Sequence, residues 1–272
     1  MPRQPALTAR NADKHELYQI AVQDPLVDLG FMTRVYSRRF GHAPRLFRED
    51  FCGTALLSAS WVKGSGERRA EGFDLNADVL RWGREHNLAP LGARAERVSL
   101  RRADVRSPGS FRPEIRSATN FSYSVFRTRA ELVQYFTAAR KSLARDGLFV
   151  IDAYGGSEAT AELSERRSIG RGVTYVWDQA LYLPGSGEYH CHIHFRFRDG
   201  SRLQRAFTYI WRYWSIPELL DALHDAGFGR VEAYFEQSAK DGSGNGVFRL
   251  DPEGRTSRDC AGLIAYLVAS GD

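Results

Sequence analysis

Apolar positions recur at helical spacing over residues 13–40, with Leu17, Ile20 and Ala21 on one stretch and Phe31 and Val35 on the next. Asp24-Pro25 interrupts the pattern, so two helices are expected rather than one. Short apolar stretches then alternate with helical ones. Strands are expected near 45–50, 71–75, 97–101 and 118–121. A small-residue turn, Cys52-Gly53-Thr54, leads from the first strand into a helix that runs through Trp61, and Asn76 can cap the helix after the second. Thr128 and Glu131 form a capping box that opens a further helix to about residue 144, where Asp146-Gly147 stops it. Residues 147–153 contain an unbroken Leu-Phe-Val-Ile run, the pattern of a strand covered on both faces. Strands alternating with helices in this order imply a parallel sheet sandwiched by helices.

The pattern changes between 171 and 213. Residues 172–183, 188–198 and 203–213 read as three strands, separated by Pro-Gly-Ser-Gly at 184–187 and Asp-Gly at 199–200. This is an antiparallel β meander inserted into an α/β layout. A second capping box, Ser215 to Glu218, then starts a helix that ends at Gly227-Phe228, and strands near 231–235 and 263–268 flank a Gly-rich loop at 241–246. The expected architecture is α/β, with a central, mostly parallel seven-stranded sheet and helices on both faces. The segments are 1–44, a helical N-terminal part; 45–156, the first part of the core; 157–214, the inserted meander; and 215–272, the C-terminal part of the core.

Composition narrows the class. A chain of 272 residues that is 43% hydrophobic can bury a sizeable core. No apolar run approaches bilayer length, and MPRQPALTAR lacks the apolar stretch of a secretory signal. Cys52, Cys191 and Cys260 are widely spaced and odd in number, against a disulfide framework or a Cys-rich zinc site and in keeping with a reducing cytoplasm. The net charge of +5 comes almost wholly from arginine, and pairs such as Arg101-Arg102 and Arg166-Arg167 are too short to define a nucleic-acid stripe. A small-molecule partner is expected, with no membrane, with nucleic acid disfavoured but an RNA or protein partner kept as the alternative, and with a homo-oligomer left open.

In open α/β sheets ligands bind beyond the carboxyl ends of the strands, near the point where strand order reverses. Glu49, Asp50, Asp74, Asp104 and Asn120 stand at those ends. Asp74 follows Gly53 by 21 residues, the offset at which an acid closing the second strand accepts both hydroxyls of a ribose diol. Asp104 closes the third strand, within reach of an adenine amine. The series resembles class I S-adenosylmethionine (SAM)-dependent methyltransferases, a Rossmann-like family. Residues 48–57, Arg-Glu-Asp-Phe-Cys-Gly-Thr-Ala-Leu-Leu, resemble the acidic position and GxGxG loop of its first motif, and Gly72-Phe-Asp-Leu-Asn76 resembles the ribose-binding motif. Ala103-Asp104-Val105 resembles the adenine-binding turn, Asn120-Phe-Ser-Tyr123 the fourth motif, and 147–154 the fifth strand and its mouth.

The resemblance implies SAM as cofactor, held by Tyr18, Arg48, Glu49, Cys52, Gly53, Thr54, Asp74, Leu75, Asn76, Asp104, Val105, Asn120, Phe121 and Ser122. Tyr18 enters because an N-terminal helix closes over SAM in the family, and Arg48 because it suits the cofactor carboxylate. It also implies that the inserted meander caps an acceptor pocket. Substrate contacts are expected from Tyr123, Tyr154, Trp177, Tyr209, Trp211 and Asn245. Against GxGxG the chain has Phe51, Gly53 and Ala55, keeping only the central glycine. No GxGxxG phosphate loop is present, which disfavours a dinucleotide. His190, His192 and His194 share one face of the middle meander strand, opposite Tyr189, Cys191, Ile193, Phe195 and Phe197. The histidine run raises the question of a metal; a polar outer face is the plainer reading, and no metal is expected. Tyr154, His192 and His194 are the candidate catalytic residues, imidazole because it titrates near neutrality.

Overall fold

A computed structural model describes residues 6–239 and 243–271. The chain divides into two compact units. One contains the chain through Asp24, Ser124–Arg127 and Ser157–Trp214; the other contains Pro25–Tyr123, Thr128–Gly156 and Ser215–Asp272. The 1–44 segment is therefore split at Asp24-Pro25, where the sequence breaks its helix.

The larger unit is built on an eight-stranded sheet. Its strands in chain order are β1 (Leu46–Asp50), β2 (Arg69–Asp74), β3 (Val98–Arg102), β4 (Ile115–Ala118), β5 (Leu148–Gly155), and, after the other unit's four strands β6 to β9, β10 (Arg230–Ser238), β11 (Gly244–Leu250) and β12 (Leu263–Ser270). The spatial order is β11-β10-β12-β5-β4-β1-β2-β3. β1 to β5 pair in parallel, while β12 lies antiparallel between β5 and β10. Strand order thus reverses between β1 and β4, which puts the switch-point crevice at their carboxyl ends.

Helices α2 (Pro25–Phe40), α3 (Leu56–Trp61), α4 (Ala77–Gly83), α5 (Arg129–Ser142) and α6 (Ile216–Asp225) join this unit; α1 (Lys14–Val22) belongs to the other. Both expected capping boxes form, Thr128 with Glu131 and Ser215 with Glu218, and Asn76 caps α4. α2 buries Leu29, Phe31, Met32 and Tyr36 against Phe47, Ile115, Leu148, Val150, Tyr266 and Val268 of the sheet.

The sheet has one strand more than the seven expected. The glycines at 244 and 246 mark a turn, but Phe248 beyond them packs on Tyr266 (4.4 Å between ring centres) and Phe31 (5.5 Å), and this holds β11 beside β10. The start of the expected Gly-rich loop, Asp241 and Gly242, lies outside the described residues.

The smaller unit is a four-stranded antiparallel sheet, β6 (Leu163–Ser168), β7 (Val173–Leu183), β8 (Glu188–Phe197) and β9 (Arg202–Arg212), in sequential order. The three meander strands lie within a residue of the expected ranges. β6 was not expected, because LSERRS has no alternation of apolar residues; it is a charged edge strand, a sequence that protects a sheet edge. α1 lays Leu17 and Ala21 on Val173, Tyr175, Ile193, Phe195 and Phe197. No helix among the described residues is long and apolar enough to cross a membrane.

Candidate functional site

The loops after β1, β2 and β3 are tied to one another by backbone bonds. Cys52 N–H donates to Phe73 O (2.9 Å), and Ala103 N–H to Asp74 O (3.2 Å). The Asp74 carboxylate accepts Gly53 N–H on one oxygen (2.9 Å) and Asn76 N–H on the other (2.8 Å). A carboxylate has about four lone-pair sites, so each oxygen retains acceptor capacity for a hydroxyl. The 21-residue spacing read from the sequence is thus a direct contact. A methyl group built on Gly53 meets no atom within 4 Å, so this backbone faces open space.

Three alternate residues of this loop adopt left-handed backbone, two of them without being glycine. Phe51, Gly53 and Ala55 have φ of 53°, 51° and 57°. A side chain in this left-handed region costs roughly 1–2 kcal/mol per residue. Phe51 is accommodated with its ring 5.7 Å from that of Tyr135, and Ala55 is fully buried.

Glu49 is buried at the end of β1, where a single oxygen accepts both the N–H (2.8 Å) and the hydroxyl (2.6 Å) of Ser58. Burial raises its pKa to about 7, against the lowering effect of those two bonds. Ser117 of β4 is its register partner across the switch point; its hydroxyl is buried and has no hydrogen-bond partner among the described residues.

The loop after β4 is held by a residue the sequence reading missed. Asn120 and Phe121 both adopt left-handed backbone (φ 58° and 55°), and their N–H groups converge on the Asp152 carboxylate at 2.6 and 2.9 Å. Burial lifts Asp152 to about 7 as well. An acid inside LFVIDAYG, a strand buried along most of its length, was the available signal. Asp28 of α2 was also missed. It accepts the Tyr266 hydroxyl, and its charge adds to the raising of both Glu49 and Asp152. Nothing in its local sequence marks it. Ser122 donates to Thr119 O (2.8 Å), and the Phe121 ring lies 6.0 Å from that of Tyr154, at the mouth of β5.

Several expected residues have other roles. Arg48 is no ligand for a cofactor carboxylate: it is fully buried, with its three guanidinium nitrogens on Asp50 (2.7 Å), Ser107 O (3.0 Å) and Val105 O (2.5 Å). Asp50 also accepts Arg116 (2.6 Å) and Tyr135 (2.7 Å), which explains an acid at an ordinarily apolar position. Val105 gives its carbonyl to both arginines, and its side chain is buried. Asp104 is paired with Arg106 (2.6 and 2.9 Å), whose hydrogen bonds hold its carboxyl below the ordinary range and leave acceptor capacity on one oxygen only. Tyr123 is buried with its hydroxyl on Asp152 O (2.7 Å), so it supports the loop rather than a substrate. Cys52 and Thr54 are buried within the loop, and Leu75 stands 66% exposed beside Asp74. Asn245 lies on the outermost strand and accepts Val247 N–H (2.9 Å). Three strand spacings separate β11 from β5, about 14 Å, so Asn245 closes a turn at the sheet edge rather than the crevice.

Tyr18, Trp177, His192, His194, Tyr209 and Trp211 all belong to the smaller unit. Tyr209 stacks on Trp211 (4.3 Å), Trp177 lies 6.2 Å from Tyr209, and Tyr18 packs on Phe207 (5.0 Å). His194 is excluded as a base. Its Nδ1 accepts Arg205 N–H (2.9 Å) at a strand irregularity where Arg205 has φ 48°, so its Nε2 donates to Asp178 (3.2 Å). His192 is buried beside Thr208 (3.0 Å), and burial, then Arg205, lowers its pKa.

The strand order, the reversal between β1 and β4 and the inserted antiparallel sheet are those of the Rossmann-like class I methyltransferase fold. The chain is similar in structure to a SAM-dependent methyltransferase from Clostridium acetobutylicum ATCC 824, at 16% identity over 95% of this chain and 98% of that one, with a TM-score of 0.68. It is similar to the CcbJ methyltransferase from Streptomyces caelestis (16% identity, 92% and 98% covered, TM-score 0.64) and to SAM-bound CalS10, an amino pentose methyltransferase from Micromonospora echinaspora involved in calicheamicin biosynthesis (13%, 93% and 95%, 0.64). At these identities the likeness establishes the fold. No protein-family model and no curated protein matches the sequence.

Proposed function

We propose that the chain is a SAM-dependent methyltransferase acting on a small molecule. The observation that carries this reading is the Asp74–Gly53 contact: an acceptor with spare capacity for a ribose diol, fixed to a left-handed loop whose central glycine faces open space. The donor set fits SAM better than a dinucleotide. SAM carries no phosphate, and Arg48, the basic residue nearest the loop in sequence, is consumed by Asp50. Glu49 and Asp152, both raised to about 7 and with Asp28 near both, stand poised between neutral and charged forms at neutral pH, so a cation bound at this end of the sheet would draw them to carboxylates. When bound, SAM supplies a methyl carbon already activated by its sulfonium. What remains for the protein is to place the acceptor in line and to exclude water.

Within this reading, Asp74 holds the ribose, Leu75 covers an adenine face, and Asp152 sets the path of the Asn120-Phe121 loop that borders the reacting atoms. Tyr154, beside Phe121, is the favoured residue for acceptor contact. The half-buried aromatics Trp177 and Tyr209 of the smaller unit are kept as candidate acceptor contacts. The chain's likeness to the amino pentose methyltransferase makes aminated sugars the first acceptors to test. A reducing, cytoplasmic setting fits three free cysteines. The test is transfer of labelled methyl from SAM to a panel of aminated and hydroxylated small molecules. Turnover of at least one acceptor is expected. SAM binding with no transfer to any of them would leave a cofactor-binding protein without this activity.

A further inference from the structure

The smaller unit carries a feature that methyl transfer does not use. On one face of its sheet, register partners run in a single row across all four strands: Ser168 of β6, Thr174 of β7, Arg196 of β8 and Arg202 of β9. Arg166, two residues before Ser168, shares that face in the next row. Register-paired residues are about 4.8 Å apart across strands, so the row spans about 14 Å.

Like charges placed directly opposite each other on a sheet are destabilising. Arg196 and Arg202 are such a pair, and neither their side chains nor that of Arg166 has a hydrogen bond or ion pair among the described residues. The neighbouring carboxylate on this face, Asp178, is taken by His194. Other arginines of the smaller unit do find acids, Arg127 on Glu188 and Arg171 on Glu16. Repulsion from Arg166, then Arg202, holds the Arg196 guanidinium below its ordinary value. The two hydroxyls in the row are donors of the kind that complete an anion site, Ser168 accepting one long bond from Gly170 N–H (3.4 Å).

We propose that this row is a binding site for a diphosphate group borne by a small molecule, with Arg196 and Arg202 engaging its charged oxygens, Arg166 closing one side, and Ser168 and Thr174 donating beside them. Planar guanidinium groups match phosphate oxygens in pairs, and the single strand spacing of about 4.8 Å between Arg196 and Arg202 lets each engage one of two linked phosphoryl groups. A nucleic acid would need a longer basic stripe than this row provides. The site stands on the smaller unit alone and does not depend on the cofactor reading.

The test is calorimetric titration of the whole protein with inorganic pyrophosphate at low ionic strength. Saturable one-site binding is expected. The double variant Arg196→Gln/Arg202→Gln should weaken it at least tenfold, ~1.4 kcal/mol or more. Its melting temperature should be equal or higher, because the opposed charges are gone. Arg166→Gln alone should weaken binding less. Arg81→Gln, whose arginine pairs with Asp78 in the larger unit, should change nothing. The proposal is overturned if the wild type shows no saturable binding, if the double variant binds as the wild type does, if sulfate binds as tightly as pyrophosphate, or if a single-stranded oligonucleotide binds more tightly than either.

Discussion

Gly53 and the two left-handed residues around it concentrate the conformational cost of the loop where the Asp74 carboxylate meets it. A methyl group at Gly53 meets no protein atom, so Gly53→Ala is expected to lower stability by only about 1 kcal/mol, the cost of the left-handed angle. SAM affinity should fall by far more, because the new methyl occupies the space assigned to the cofactor. Denaturant titration beside calorimetry separates the two; unchanged affinity would mean that the cofactor does not pass this backbone. Glu49 and Asp152 give a second expectation. Both have folded values near 7, above their ordinary 4.5 and 3.8, so the folded state holds protons more tightly than the unfolded one. The contribution of these two groups to the stability of the unliganded protein is then fully present at about pH 4, is lost as pH rises through about 7, and is absent above that. Urea midpoints at pH 5 and pH 8 should show the drop, and Glu49→Gln or Asp152→Asn should shrink it. Variants whose change between the two pH values equals that of the wild type would remove the assignment. At this scale the sequence was most legible where a residue acts on its near neighbours, as Asn76 does in capping α4. It was least legible for Arg48, whose partners Ser107 and Val105 are nearly 60 positions away.

The carboxyl ends of the strands are braced from beneath by charge. Arg48 and Arg116 converge on Asp50 and on Val105 O, and so fix the turn after β3 to β1 and β4. Breaking a buried pair leaves an uncompensated charge and costs about 3–5 kcal/mol, so Arg116→Met should lower the urea midpoint severely. A loss below 1 kcal/mol would show the network to be dispensable. Element order was readable because apolar runs of strand length alternate with capped helices, and each signal is local. β6 and β11 were not. Their pairing rests on partners elsewhere, a charged edge on β7 and the Phe248 ring on Phe31 and Tyr266. The expectation that His194 serves as a base failed for the same reason, since its Arg205 and Asp178 contacts depend on strand register.

For the molecule as a whole, the strand order supplies the crevice and the loops supply its chemistry. The fold is shared with methyltransferases at 13–16% identity, so it transmits topology and little else. The activity must therefore be argued from Gly53, Asp74, the Asn120-Phe121 loop and Asp152. These converge at one end of one sheet, and none of them needs a phosphate. Calorimetry with SAM on the wild type and on Asp74→Ala tests this most directly. The account predicts saturable binding by the wild type and a loss of about 1.5–3 kcal/mol per charged hydrogen bond removed by the truncation. Equal affinity in the two proteins, or no binding by the wild type, would contradict it.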